Sequence, residues 1–136
     1  MDTYFTQLSL LYGKGARSFL LLTVPPIDRA PLFYAQGRTV TNGVSASVKD
    51  YNKQLAQRAK KFAATNRGSS VLVYDTSKVF NTILNNADEL GFVNATGYAD
   101  PYANGTPSQT TQVDGYAPVS SYFWLNSLHP GFAVHA

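Results

Sequence analysis

Apolar residues recur along this chain with two different periods. Tyr4, Phe5, Leu8, Leu11 and Tyr12 recur at intervals of three and four, which predicts a helix over residues 3–12. Gly13 and Gly15 follow, and glycine suits the left-handed turn at a helix end. The run Arg17-Ser18-Phe19-Leu20-Leu21-Leu22-Thr23-Val24 has no alternation. It predicts a strand covered on both faces, as in a parallel sheet. Pro25 and Pro26 cannot donate to a ladder and end it. Residues 25–43 mix Pro, Gly and polar residues and read as a long loop. A longer helix follows over residues 45–65, with Val48, Tyr51, Leu55, Ala59 and Phe62 on one face. Ser47 and Asp50 resemble a capping box at its start, and Arg67-Gly68 closes it. Val71-Leu72-Val73-Tyr74 reads as a second buried strand. Asp75 then caps a helix over residues 77–87 that carries Val79, Phe80, Ile83 and Leu84.

The order strand, helix, strand, helix implies right-handed parallel crossovers and an α/β layered sheet. A sheet of two strands leaves both edges and much of both faces uncovered. The pattern therefore predicts that the strands pair with further structure, or that the chain is part of a larger domain. Residues 91–121 have no period. An aperiodic stretch of that length is either functional or packed irregularly against the body.

Composition narrows the field. The chain has 136 residues and no cysteine, with 44% hydrophobic, 13% aromatic and 14% charged residues. That aromatic content excludes a disordered chain. The missing cysteine excludes thiolate zinc sites and cysteine nucleophiles. The longest apolar run, Phe19–Val24, is far below the roughly 20 residues of a membrane span. The net charge is +3. Lys49, Lys53, Arg58, Lys60, Lys61 and Arg67 fall in one stretch and read as a solvated helix face rather than a nucleic-acid surface. No basic segment followed by an apolar one opens the chain, so no signal peptide is expected within it. The sequons Asn94-Ala95-Thr96 and Asn104-Gly105-Thr106 permit a secreted origin.

Few residues can carry chemistry. His129 and His135 are the two histidines, and their spacing is not that of a helical zinc pair. No acidic cluster accompanies them, so no metal and no cofactor is expected. His129 lies in a turn before Pro130, where an imidazole is available as a general base. Gly43-Val44-Ser45-Ala46-Ser47 lacks the final glycine of a nucleophile elbow. There is no phosphate loop or dinucleotide fingerprint. Glu89 is the single glutamate, and no carboxylate pair suits a glycosidase. Asp75 at a strand end could be catalytic, but a helix cap is the preferred reading. Tyr98, Tyr102, Tyr116, Tyr122, Phe123 and Trp124 could form a sugar-stacking surface, although core packing is the commoner use of such residues.

Phe123-Trp124-Leu125-Asn126-Ser127-Leu128-His129-Pro130 resembles the last block of the GDSL/SGNH esterase family, which runs Asp-x-x-His-Pro after an aromatic pair. Other stretches resemble the family in the same order. They are Leu11 to Phe19 ending in Val24-Pro25-Pro26, then Tyr51-Asn52 through Leu55, then Val73-Tyr74-Asp75 with Phe80, Asn85 and Leu90-Gly91-Phe92. The branch most like it is the fungal GDSL lipases and carbohydrate acetylesterases. The resemblance implies a flavodoxin-like, three-layer parallel sheet lacking its N-terminal strands, with residues 1–136 as the C-terminal part of one SGNH hydrolase domain. The family's closing helix is expected to be missing as well.

The resemblance also implies roles. His129 corresponds to the base that deprotonates the serine nucleophile, and Asn126 stands where the family has its triad aspartate. An amide lacks the charge and can favour the wrong imidazole tautomer, a loss worth about 10⁴ in rate in serine proteases. The family's serine and oxyanion-hole blocks precede the matched region, so the chain alone is expected to be inactive, because no acyl-enzyme forms without a nucleophile. The implied substrate is a small ester or an acetylated carbohydrate, and the implied location is extracellular. The alternatives are a non-catalytic carbohydrate-binding protein built on the aromatic loop, and the product of a truncated gene model.

Overall fold

Residues Ser18–Leu22 form β1 and pair in parallel with β2, Ser70–Tyr74, in a computed structural model that describes residues 1–135. Phe19 lies opposite Val71 and Leu21 opposite Val73. Helix α1 spans Asp2–Gly13, and helix α3, Arg38–Thr65, makes the crossover between the strands. Both helices bury their apolar stripes on the same side of the pair. Leu8 of α1, Phe19 and Leu21 of β1, and Leu55, Ala59 and Phe62 of α3 form one core. The Phe62 ring meets Phe19 edge to face at 5.3 Å and Tyr12 at 6.3 Å, a geometry that adds to simple burial. The fold is thus mixed α/β with a small parallel sheet.

The other side of the sheet is open. Leu20, Leu22, Leu72 and Tyr74 are 63%, 54%, 65% and 51% exposed. The expectation of strands covered on both faces is therefore corrected. Successive side chains on a strand point to opposite faces, and here one apolar stripe is packed while the other faces solvent. The physical reason lies in the helix after β2, α4 (Thr76–Asn85). Its Leu84, Phe80 and Ile83 pack with Ala30, Ala87, Phe92, Phe123 and Trp124 in a second core instead.

The reading of residues 25–43 as a loop is also corrected. It contains a 3-10 turn at Ile27–Arg29 and a short helix α2, Pro31–Tyr34, and α3 begins at Arg38. Gly37, with φ of 86°, supplies the left-handed residue before that helix. Ser47 and Asp50 lie inside α3. The Ser47 hydroxyl donates to Gly43 O and Asp50 accepts from Gln54 Nε2, so neither caps an end. Tyr51 stands outside the buried face of α3, as Tyr4 and Leu11 do on α1. Lys49, Lys53, Lys60, Lys61 and Arg67 are exposed, while Arg58 pairs with Asp2. That guanidinium holds the Asp2 carboxyl below the usual carboxylate range, first through its hydrogen bond and then through its charge. The folded state gains from this depressed pKa at neutral pH and loses the gain as pH falls through it. Among the described residues, no helix is long and apolar enough to cross a membrane.

Side chains finish what the short strands cannot. Beyond β1 the backbone of Val24 meets Asn52 of α3: Val24 N–H donates to Asn52 Oδ1 at 2.7 Å, and Asn52 Nδ2 donates to Val24 O at 2.8 Å. One side-chain amide thereby replaces a neighbouring strand, just before the prolines redirect the chain. Thr23, the preceding residue, is buried. Its hydroxyl donates to Asp75 Oδ1 at 3.2 Å and accepts from Ser77 N at 3.1 Å. Asp75 also accepts from Lys78 N at 3.0 Å, which makes it the cap of α4. Arg29 donates to Asn81 and Asn85 of α4 at 3.0 and 2.6 Å, tying the segment before α2 to the second core.

Each of the two Asn52 bonds contributes about 0.5–1.5 kcal/mol net, and removal strands both Val24 groups. Asn52→Ala should lower the unfolding free energy by about 2 kcal/mol in urea titration, with the m-value unchanged. An unchanged midpoint would show that the strand end needs no such partner.

Candidate active site

The site is a tight loop raised on buried aromatics. Trp124 and Pro130 pair antiparallel, Gly131 N–H donates to Phe123 O at 2.7 Å, and Leu125 N–H donates to His129 O at 2.9 Å. Phe123 and Trp124 below are almost wholly buried, and Trp124 Nε1 donates to Ala95 O at 2.8 Å. Phe123 N–H donates to Asn94 O at 3.0 Å, so the aperiodic segment supports the loop from beneath. Gly131 is required by close approach: a Cβ there would lie 2.9 Å from Tyr122 O. On the side, Leu32 N–H of α2 donates to Ser127 O at 2.8 Å.

This loop brings together the two residues singled out from the sequence, Asn126 and His129. Asn126 Oδ1 accepts from Leu128 N–H at 3.1 Å and His129 N–H at 2.9 Å, and lies 3.0 Å from His129 Nδ1. The first bond is an Asx turn, a local device for holding a loop in one shape. Asn126 Nδ2 donates to Ala103 O at 3.2 Å. These partners leave one consistent orientation of the amide. Flipped, Nδ2 would face two backbone N–H donors and Oδ1 would face a carbonyl. Since an amide oxygen only accepts, a neutral His129 bonded to it carries its proton on Nδ1, which leaves the lone pair on Nε2. Asn126 is half-buried and His129 exposed, so the imidazole stands at the surface on a fixed footing.

The other candidates go elsewhere. Asp75 caps α4 as preferred. His135 lies in α5, Phe132–His135, and lines an apolar pocket of about 580 Å³ with Leu22, Tyr74 and Phe80. Tyr102, Phe123 and Trp124 are buried and Tyr98 and Tyr122 half-buried, while Tyr116 is exposed, so most of the aromatic set builds core rather than a flat stacking platform. Asn94 uses its Oδ1 to accept from Thr96 and Gly97 N–H, whereas Asn104 is exposed. Among the described residues, no three His, Cys, Asp or Glu side chains come together. An apolar cleft of about 640 Å³, bounded by Val24, Ile27, Phe33, Val44 and Val48, opens beyond the carboxyl end of β1. Sequence reasoning missed Ala103 and Leu32 because they act through backbone atoms. It singled out Tyr51-Asn52 only as part of a resemblance and gave Asn52 no structural role, although an asparagine mid-helix was a signal, since it is a poor helix former.

Three curated relatives bear on the site. An acetylesterase of Thermothelomyces thermophilus is 35% identical over 99% of this chain and 39% of its own length. A thermolabile hemolysin of Vibrio parahaemolyticus is 30% identical over 68% of this chain and 22% of its own length. A GDSL esterase/lipase of Arabidopsis thaliana is 28% identical over 97% of this chain and 38% of its own length. The chain thus spans about two fifths of the first and third of these relatives. No family model matches it.

The close approach at Gly131 gives a test of the loop. Gly131→Ala should lower stability by about 1–3 kcal/mol, the usual cost of overpacking. It should also shift the amide resonances of Leu128 and His129 more than those of α1. Wild-type stability would mean that the Tyr122 carbonyl yields freely.

Proposed function

We propose that this chain, which is related across nearly its whole length to the GDSL/SGNH esterases, carries the general base of an ester hydrolase. The observation that bears most on the reading is the 3.0 Å pairing of His129 Nδ1 with Asn126 Oδ1. In the proposed reaction, His129 Nε2 takes the proton of a serine hydroxyl as that oxygen attacks the ester carbonyl. It then returns the proton to the leaving alcohol. Asn126 holds the ring with a dipole instead of a charge. Much of the cost of an amide at this position in serine proteases comes from a mis-set tautomer. With the tautomer set correctly, what remains is the missing charge opposite the imidazolium.

The chain is further read as the C-terminal part of a three-layer SGNH domain whose serine and oxyanion hole belong to a segment outside these residues, so that it does not turn over esters by itself. The open stripe of Leu20, Leu22, Leu72 and Tyr74 supports this, because so much apolar surface on a two-stranded sheet is suited to being covered. Acetylated carbohydrate or another small ester is the proposed substrate, supported by the acetylesterase relative. An extracellular location is supported by the low charge content and by the exposed sequon at Asn104.

The test is a chimera in which this chain replaces the matching segment of the Thermothelomyces thermophilus acetylesterase. It should hydrolyse p-nitrophenyl acetate, and His129→Ala should lower kcat by about 10²–10⁴-fold, the range for a lost general base. A His129→Ala chimera as active as its parent would remove His129 from the reaction. Asn126→Asp in the same chimera should raise kcat by well under the roughly 10⁴-fold expected if the tautomer were wrong. A full 10⁴-fold rescue would contradict the role given to the amide.

A further inference from the structure

Asn126 Nδ2 donates to the carbonyl of Ala103, a residue of the aperiodic segment 23 positions away. That carbonyl is held where it is by the residue before it. Tyr102 ends the 3-10 turn Asp100–Tyr102 and is 1% exposed. Its hydroxyl donates to Ala117 O at 2.8 Å and accepts from Val113 N–H at 3.0 Å, so one phenol closes the loop at two points. Tyr102 O accepts from Gly105 N–H at 2.9 Å, which fixes the turn around Ala103 itself. The ring packs edge-on against Tyr116 at 6.1 Å and Tyr122 at 5.8 Å. Tyr102, Ala99 and Val119 form a small core against which Leu125, the neighbour of Asn126, also packs. Both ends of the Asn126–Ala103 bond are therefore anchored to the same cluster.

We infer that Tyr102 is a positioning residue for the base: its hydroxyl fixes the loop that places the Ala103 carbonyl on the Asn126 amide, and the amide in turn holds His129. This rests on His129 acting as the base, but it concerns a residue that never meets substrate. The two backbone N–H groups of the Asx turn hold only the amide oxygen. The Ala103 carbonyl holds the nitrogen, and with both ends fixed the amide plane cannot swing away from the imidazole. A phenylalanine at 102 would fill the same space among the rings but would leave Val113 N–H and Ala117 O without their shared partner.

The test reads hydrogen exchange by NMR in the full chain. Tyr102→Phe should make the Asn126 Nδ2 protons and the His129 Nδ1 proton exchange about tenfold faster, the effect of losing one hydrogen bond of ordinary strength. The side-chain amides of Asn52 and Asn66, bonded to Val24 O and Phe62 O, should keep their rates. Unchanged rates at Asn126 and His129 would overturn the inference, and so would an equal acceleration at all four residues, which would make Tyr102 a general core residue. Should Tyr102→Phe fail to fold, Gly105→Ala strains the left-handed position two residues after Ala103 (φ 93°) while touching no core atom. It must then give the same local pattern, and a pattern that spares Asn126 overturns the inference. No ester is turned over in this measurement, so an inactive chimera and a misassigned Tyr102 are told apart.

Discussion

The Asn126 amide oxygen gathers the loop amides of Leu128 and His129 and the His129 ring nitrogen within 2.9–3.1 Å. Two backbone N–H groups on the oxygen and the Ala103 carbonyl on the nitrogen leave the side chain a single workable orientation, and a neutral imidazole bonded to that oxygen carries its proton on Nδ1. The surrounding structure serves to keep this oxygen where it is. Phe123 and Trp124 form the buried floor, Gly131 lets the returning strand pass close to Tyr122 O, and Ala103 holds the far side of the amide. A carboxylate would reach the same geometry with charge to spare. An amide reaches it only because every neighbour presents the right hydrogen-bonding sense, donor to oxygen and acceptor to nitrogen.

The second constraint is the one-sided sheet. α1 and α3 cover the Phe19 and Leu21 side, while α4 turns to the core that carries the His129 loop. The strand ends are locked by side chains rather than by more strands: Asn52 on the Val24 backbone, and Thr23 with Asp75 across the two carboxyl ends. These locks make two five-residue strands definite in register although each has only one neighbour. They also leave a stripe of leucines and a tyrosine facing outward. A two-stranded sheet is marginal by itself, and the proposed larger SGNH domain gives that stripe a natural cover.

Much of this was legible in the sequence because local signals and tertiary packing agreed. Helix α1, both strands and α4 followed from apolar spacing and from the Pro25-Pro26 stop, and Asp75 announced itself as a cap. His129 stood out as a general-base candidate from its turn before Pro130, but Asn126 and the pairing of the two came from a resemblance, since a lone histidine in a turn carries little signal. The start of α3 is hard to read from sequence because Thr39, Val40, Thr41 and Gly43 have weak helix propensity, and α3 as a whole packs on α2 and the Ile27–Arg29 turn. The open sheet face was illegible for a different reason. A continuous apolar run reports that both faces are suited to burial, not which elements are present to bury them. The Ala103 carbonyl left no trace at all, because every residue has one.

For an ester hydrolase the decisive property is which imidazole nitrogen is free. A base that meets a serine must present an unprotonated Nε2, and in the proposed function that depends on an amide doing the work usually given to a carboxylate. The most direct measurement is a long-range ¹H–¹⁵N correlation spectrum of His129 in its neutral form, assigned by its loss in His129→Gln. The account predicts a proton-bearing Nδ1 and a pyridine-like Nε2. A proton-bearing Nε2 would mean that Asn126 does not set the tautomer, and the base assignment would fall with it.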